Sequence, residues 1–187
     1  EVDRAALVRA VRSHHELRDI LPLMVSTYLP ETTAVMGRAC ERLFGEGEER
    51  GDVSTGGPQG NPLMGAAFCL AIHPFVKTLH ERLLLGGGGA SFDMDDGYAI
   101  GAPGQVFEAV EEFAASLRGI GLYLRVDKSE FYSPQADVSN DPARLRLGIP
   151  MPDPSKPRGL PCAGVPVGEQ GYERAEALRI ATQVAAE

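Results

Sequence analysis

The sequence predicts an α+β fold in which an antiparallel sheet carries helices on one of its faces. Residues 63–72 are apolar on nearly every side, which is typical of a buried helix. Residues 103–117 place apolar side chains three and four positions apart, which predicts an amphipathic helix. Between them, Ser91–Ile100 alternates around a tight turn, as a β-hairpin does. Helical and hairpin patterns that alternate along 187 residues indicate a mixed fold.

The first part of the chain predicts two helices and a strand. Asp3 is a suitable N-cap for a helix that runs to Ser13. Pro22 suits the first turn of a second helix, which continues through Tyr28. The run Thr32–Met36 then predicts a strand.

A glycine-rich loop follows and leads into the buried helix. Residues 38–49 are charged and predict a loop or hairpin, and residues 51–60 predict the glycine-rich loop. Asn61 is a good N-cap and Pro62 a good first helical residue. Pro74 is expected to kink or restart this helix, because proline removes a backbone donor.

The remaining elements follow the hairpin. Pro103 opens the amphipathic helix, and Gly119 or Gly121 ends it. The predictions for the rest are a strand or strand-turn over Leu122–Leu124 and Lys128–Tyr132, a long loop over 133–159, an irregular strand over 160–167 and a helix from Gly171.

Charge and cysteine content limit the function classes. The net charge of −8 makes the chain alone a poor nucleic-acid binder, because phosphate contacts need lysine and arginine. Three cysteines without a CxxC pair predict a reducing compartment, with nucleus and cytoplasm both left open. No apolar run is expected to span a membrane. The chain begins with Glu and has no leader pattern, so we expect an internal piece of a longer protein.

The acidic turn is the strongest chemical signal. Asp95 and Asp96 are adjacent carboxylates, which repel each other unless a cation lies between them. By itself an Asp-Asp-Gly turn is an ordinary solvated turn. Beside the glycine-rich loop and Lys128, however, paired carboxylates are a way to hold divalent metal for phosphoryl transfer.

Four stretches in order resemble the palm of reverse transcriptases, most closely those of non-LTR retrotransposons. The stretches are Gly56-Gly57-Pro58-Gln59-Gly60-Asn61-Pro62-Leu63, Asp93-Met94-Asp95-Asp96, Gly121-Leu122-Tyr123-Leu124 with Lys128-Ser129-Glu130, and Ala163-Gly164-Val165-Pro166-Val167-Gly168. They resemble, respectively, the family's G-x-x-Q-G-x-P loop, its Y-x-D-D box, its G-L-x-L-N-x-x-K-[ST]-E element and its L-G-x-P-I-G primer grip.

The resemblance implies a polymerase palm with N-terminal helices and a hairpin from the fingers–palm junction. Residues 1–187 would form a partial reverse transcriptase domain. Residues 1–60 would be a palm and fingers remnant, 61–135 the palm core, and 136–187 the primer-grip strand with its following helix. The fingers and palm segment before this chain and the thumb after it would belong to the parent protein.

The resemblance also implies roles for individual residues. Asp95 and Asp96 would be catalytic and hold Mg²⁺, with Mn²⁺ as an alternative, and Lys128 would assist catalysis. The implied partners are an RNA template, a DNA primer and a deoxynucleoside triphosphate, with no membrane. Template and nucleotide would be positioned by Gly56, Pro58, Gln59 and Gly60, and the primer would be gripped by Gly164, Val165 and Pro166.

Two departures from the family leave alternatives open. The segment Glu1–Arg4 resembles the tail of the segment that follows the family's first catalytic aspartate, so that aspartate would lie upstream of this chain. Asp93 replaces the aromatic residue of the box, and strand alternation would put it on the same side as Asp95. On that face Asp93 would be an extra metal ligand. The alternatives are a simple surface substitution or the decay of a mobile-element copy. A non-catalytic retroelement relic and a small acidic metal-binding module are the alternative functions.

Overall fold

A computed structural model describes residues 2–28, 32–35, 50–53, 62–134 and 136–186. The chain divides into two compact units. One comprises Glu1–Pro74 with Leu117–Tyr123, and the other comprises Phe75–Ser116 with Leu124–Glu187.

The first unit begins with the two predicted helices. Helix α1 spans Arg4–Arg12, and the Asp3 side chain caps it by accepting a hydrogen bond from Ala5 N at 3.0 Å. A 3-10 helix over His15–Ile20 leads into α2, Leu21–Tyr28. Apolar side chains from both helices and from the following long helix form one core, whose buried members are Val2, Leu7, Val8, Val11, Met24, Ala67 and Ala71. The expected helices from Asp3 and Pro22 are therefore confirmed.

A strand pair also belongs to this unit. Strand β1, Thr32–Val35, confirms the predicted strand and pairs antiparallel with β2, Arg50–Val53. The sequence did not predict β2, which lies at the start of the expected glycine-rich loop. The predicted loop or hairpin over 38–49 lies outside the described residues.

Helix α3 spans Pro62–Leu84 without interruption. Its first residue is Pro62, as predicted, but the expected restart at Pro74 is wrong. The helix lacks one backbone donor there and continues, because a single lost hydrogen bond is small beside the packing along both halves. Residues Leu63–Leu84 are long and apolar enough to cross a membrane by length and composition alone, which corrects the expectation that no apolar run reaches that length. A core helix of a soluble protein passes the same test.

The second unit contains the acidic hairpin and the amphipathic helix. Strands β3, Gly89–Asp93, and β4, Asp96–Ile100, pair antiparallel, and α4 follows at Pro103–Arg118. Both elements are confirmed. On α4, Phe107 packs with Val138, Ala143 and Ile149 in a buried cluster that joins the helix to the later segment.

The segment after α4 differs from its prediction. No strand forms over Leu122–Leu124 or Lys128–Tyr132, and a 3-10 helix occupies Val126–Lys128 instead. The Arg125 guanidinium donates to both carboxylate oxygens of Asp127, at 2.8 and 2.6 Å. This local ion pair accompanies a turn, and a turn cannot continue a strand ladder.

The long loop predicted over 133–159 contains a short helix, α5, at Pro142–Leu147. Asp141 caps it by accepting from Ala143 N and Arg144 N. Arg144 is buried, and its guanidinium donates to three backbone carbonyls, those of Val138, Ser139 and Ile149. A buried cation is tolerated only when its donors are satisfied, so Arg144 organises the backbone on both sides of α5.

The chain ends with a hairpin and a helix. Strands β5, Gly159–Cys162, and β6, Val165–Gly168, pair antiparallel, and α6 spans Gln170–Ala186. The irregular strand predicted here is thus a second hairpin. Among the described residues the strands form three separate two-stranded pairs. The α+β class is confirmed, whereas the single sheet with helices on one face is not found among them.

Candidate functional site

The two strands of the acidic hairpin are joined by a two-residue loop, the shortest of the common hairpin connections. Asp93 pairs with Asp96, which leaves Met94 and Asp95 as the two loop residues. Met94 has φ 55° and Asp95 does not have a positive φ, as in a type II′ turn. Glycine is the usual residue at that first loop position, because a Cβ is strained there. The loop therefore places Asp95 beside a strained, non-glycine backbone at the tip of the hairpin.

The pairing register decides which carboxylates share a face. Residues directly opposite each other on paired strands lie on the same face, so Asp93 and Asp96 share one. The strand alternation from which we expected Asp93 and Asp95 to share a face does not extend to Asp95, because β3 ends at Asp93 and Asp95 lies in the loop. Ser91 and Tyr98 form the next pair on this face. Asp93, Asp95 and Asp96 are all exposed.

The opposite face of the hairpin is anchored by aromatic rings. Phe92 packs against Phe113 of α4, with the ring centroids 5.3 Å apart. Phe92 also pairs with Gly97, and its ring covers that glycine so closely that a Cβ on Gly97 would lie 2.6 Å from Phe92 Cζ. Real Cβ atoms essentially never approach a carbon atom so closely, so Gly97 is required by the ring. The sequence suggested a turn role for Gly97, but it lies in β4.

The charges at the hairpin tip are all negative. Within the described part of the chain, no salt bridge reaches Asp93, Asp95 or Asp96. Like charges directly opposite each other on paired strands destabilise the pair. No group of three or more metal-ligating side chains occurs among the residues that the structure describes. Two exposed carboxylates with oxygen donors fit the chemistry of Mg²⁺, which keeps several ligands from water or substrate.

Lys128 lies on the 3-10 helix and is exposed. Its neighbour Asp127 is held by Arg125, whose hydrogen bonds lower the pKa of Asp127 from 3.8 to about 2. In the described residues, Lys128 forms no salt bridge with Asp95 or Asp96. The structure thus gives Lys128 a charged, ordered turn but does not bring it into an ion pair with the acidic hairpin.

The expected primer grip lies at the loop of the second hairpin. Ala163 and Gly164 are its two loop residues and have φ 49° and 79°, as in a type I′ turn. Val165 is 61% exposed, and Pro166 is half-buried. The other predicted positioning residues, Gly56, Pro58, Gln59 and Gly60, lie outside the described residues, so their expected roles stay predictions.

The sequence contained one signal for the contact between Phe92 and Gly97. A two-residue loop between Asp93 and Asp96 necessarily pairs Phe92 with Gly97, and an aromatic residue opposite glycine is a typical packing arrangement. Placing the glycine in the turn hid this pairing. The hydrogen bond between His80 and Ala90 had no comparable signal because it depends on where α3 ends.

No protein-family model, curated protein or solved structure matches this chain.

Proposed function

We propose that the chain is a palm segment of an RNA-directed DNA polymerase, most similar to those of non-LTR retrotransposons. The observation that carries the proposal is the two-residue hairpin, which exposes Asp95 and Asp96 at its tip while Phe92 anchors its other face. The order of the four resembling stretches along the sequence supports the same assignment. The acidic net charge fits a palm whose basic fingers and thumb lie in other parts of the parent protein.

In the proposed reaction, a primer 3′-hydroxyl attacks the α-phosphate of a deoxynucleoside triphosphate and pyrophosphate leaves. Bound Mg²⁺ would supply activation of the hydroxyl and stabilisation of the leaving oxygens. Asp95 and Asp96 would provide carboxylate oxygens for the metal. Lys128 would hold or donate a proton at the leaving pyrophosphate. The resemblance requires one further aspartate upstream of residue 1, so catalysis is expected from the longer protein.

A relic without catalysis is the second candidate, and one observation favours it. Asp93 stands where the family has an aromatic residue, and it lies directly opposite Asp96. The extra carboxylate raises the repulsion at the tip, which costs stability when no cation is bound. If decay explains Asp93, Asp93→Tyr in the longer protein will raise primer extension strongly. An already active enzyme that does not change on this substitution would argue against decay.

The test of the proposal is primer extension on an RNA template by two proteins. One is this chain, and the other is the chain lengthened upstream to include an aspartate on an apolar strand. We expect extension by the longer protein and none by the chain alone. Robust extension by the chain alone would contradict the claim that catalysis needs an aspartate upstream of residue 1. If neither protein extends the primer and calorimetry shows tight Ca²⁺ binding, a small metal-binding module is favoured.

A further inference from the structure

A histidine on α3 is hydrogen-bonded to the backbone of the acidic hairpin. His80 Nδ1 lies 2.9 Å from Ala90 O and 3.1 Å from Ala90 N. The ring is partly buried. Because one nitrogen faces both backbone groups of one residue, either neutral tautomer bonds Ala90. Nδ1–H donates to the carbonyl in one, and Nδ1 accepts from the amide in the other.

The hairpin register explains why Ala90 is available to His80. The turn closes at a hydrogen-bonded pair, Asp93 with Asp96, and hydrogen-bonded pairs alternate with non-hydrogen-bonded ones along an antiparallel ladder. Ala90 and Ala99 are thus a non-hydrogen-bonded pair, whose backbone groups point away from the partner strand. His80 occupies the outer edge of β3, where Ala90 would otherwise present an unpaired donor and acceptor.

The imidazole of His80 also lies beside Gly89, the residue before Ala90. A Cβ on Gly89 would lie 3.4 Å from His80 Cε1 and 3.6 Å from His80 Nδ1, which are ordinary van der Waals distances. The ring therefore lies next to the start of β3, and the contact does not require glycine there. This packing and the hydrogen bond act on two consecutive residues, so they restrain both the position and the direction of the strand.

The connection from α3 to β3 is also short and ordered. Gly88 N donates to Leu83 O and Gly87 N donates to Leu84 O, both at 3.0 Å, as in a Schellman helix end. Gly87 has φ 77°, which glycine adopts without strain. The helix end and the His80 contact fix β3 to α3 at two points.

We propose that His80 is a positioning residue of the acidic hairpin: its Nδ1 fixes the edge of β3 to α3 and so sets where Asp95 and Asp96 point. The consequence for metal binding rests on the proposed function. The contact itself does not, and the two are tested separately. His80 touches neither carboxylate, and it acts through the strand that carries them.

The first measurement is amide hydrogen exchange at Ala90 in the intact chain. His80→Phe keeps a ring but removes Nδ1, and His80→Asn keeps a donor and an acceptor near that position. His80 protects the Ala90 amide when Nδ1 accepts from it. In that tautomer we expect Ala90 exchange on the order of tenfold faster in His80→Phe, as for the loss of one net hydrogen bond, and largely restored protection in His80→Asn. His73→Phe is the matched control, because His73 is exposed on the same helix, and it should leave Ala90 unchanged.

The second measurement is line broadening by Mn²⁺ at the backbone amides of the hairpin tip. We expect the wild-type chain and His80→Asn to broaden Asp95 and Asp96 selectively. His80→Phe should need several times more Mn²⁺ for the same effect. If the wild-type chain shows no selective broadening, the metal role in the proposed function fails, while Ala90 exchange still decides the contact. If broadening occurs and is equal in all three proteins, the positioning role is wrong.

Folding failure of a variant does not remove the test, because the wild-type chain provides its own readout. The ring nitrogen shifts of His80 identify the tautomer. A scalar coupling then joins Nδ1 to the Ala90 amide when Nδ1 accepts, or to the Ala90 carbonyl carbon when Nδ1–H donates, and reports the hydrogen bond directly. Their presence supports the proposal even where His80→Phe does not fold. Equal exchange in His80→Phe and His80→Asn with the accepting tautomer, or a wild-type ring whose Nδ1 shows no hydrogen bond, would overturn it.

Discussion

The two hairpins of the second unit each have a two-residue loop, but they are anchored at different places. In β3–β4, Gly97 lies under Phe92 one pair from the loop. In β5–β6, Gly159 lies against Tyr172 at the pair farthest from the loop, and a Cβ there would lie 2.5 Å from Tyr172 Cγ. The same device, an aromatic ring over glycine, therefore fixes the tip of one hairpin and the base of the other.

The polar contacts follow the same division. Arg158 donates to Glu169 from both its backbone N–H and its guanidinium, and Glu169 N donates to Arg158 O at 2.8 Å. The bond from the Arg158 backbone N–H and then the bond from its guanidinium lower the pKa of the Glu169 carboxyl. All these contacts lie at the base of β5–β6. The loop of that hairpin is left exposed. If the proposed function is right, the hairpin that holds the two catalytic carboxylates is the one with the anchored tip, and the hairpin that would contact the primer is anchored at its base.

Removing each anchoring ring should have the largest effect. Phe113 is buried, so Phe113→Ala should lower the free energy of unfolding by about 3 kcal/mol. Tyr172 is half-buried, and Tyr172→Ala should cost about 1 kcal/mol. Chemical denaturation measures both. Hydrogen exchange should increase at the tip of β3–β4 in the first variant and at the base of β5–β6 in the second. Equal changes in both hairpins would break the comparison.

The next largest effect is expected at the glycines. Gly97→Ala should cost about 1–3 kcal/mol, because the new methyl group overlaps the Phe92 ring that Phe113 holds in place. Gly164→Ala is the matched control: no atom lies within 4 Å of its Cβ position, so only the strain of φ 79° remains, about 1 kcal/mol. Thermal denaturation distinguishes the two. A smaller loss of stability for Gly97→Ala than for Gly164→Ala would mean that the Phe92 ring moves to accommodate the methyl group.

A smaller, opposite effect is expected at the loop of β5–β6. Ala163 has φ 49°, a conformation that glycine adopts freely. Ala163→Gly should therefore stabilise the chain by roughly 0.5–1 kcal/mol, the relieved strain exceeding the added freedom of the unfolded chain. The midpoint of denaturation should rise. A fall would show that the backbone at Ala163 is not strained.

The smallest effect concerns the turn that carries Lys128. The Arg125 hydrogen bonds lower the pKa of Asp127 from 3.8 to about 2, so the contribution of Asp127 to stability is present above pH 3.8 and is lost as the pH falls through about 2. Asp127→Asn should be slightly less stable than the wild-type chain at neutral pH, and this difference should vanish in acid. An NMR titration of the Asp127 carboxyl checks the pKa directly, and an unshifted value would contradict the ion pair.

Local sequence signals predicted the elements whose ends carry their own chemistry. The cap at Asp3 and the prolines at 62 and 103 mark where helices begin, and the structure places the helices there. Two other features were assigned wrongly or missed. Gly97 was assigned to the turn because glycine favours turns, but the Phe92 ring requires it in β4. The helix at Pro142–Leu147 was missed because it is short and lies in a segment rich in proline and aspartate, where the buried Arg144 organises the backbone five and six residues away.

The candidate site was predictable only in part. The position of Asp95 and Asp96 at a hairpin tip followed from alternation alone. The face of the hairpin on which each carboxylate lies could not be predicted, because a shift of one residue in the loop moves a side chain to the other face. The pairing of Asp93 with Asp96 is therefore a structural finding.

Single-nucleotide incorporation on a primed RNA template, catalysed by the upstream-lengthened protein with Mg²⁺, tests the central claim most directly. Asp96→Asn should lower the rate by a factor of about 10²–10³, since a metal contributes several kcal/mol of transition-state stabilisation. Asp93 lies opposite Asp96 on the same face, so Asp93→Asn is the matched control. Its rate is expected to stay within about threefold of the wild-type rate, a change of under about 1 kcal/mol in the activation free energy. Equal rates for the wild-type protein and Asp96→Asn would contradict the claim that this hairpin holds the catalytic metal.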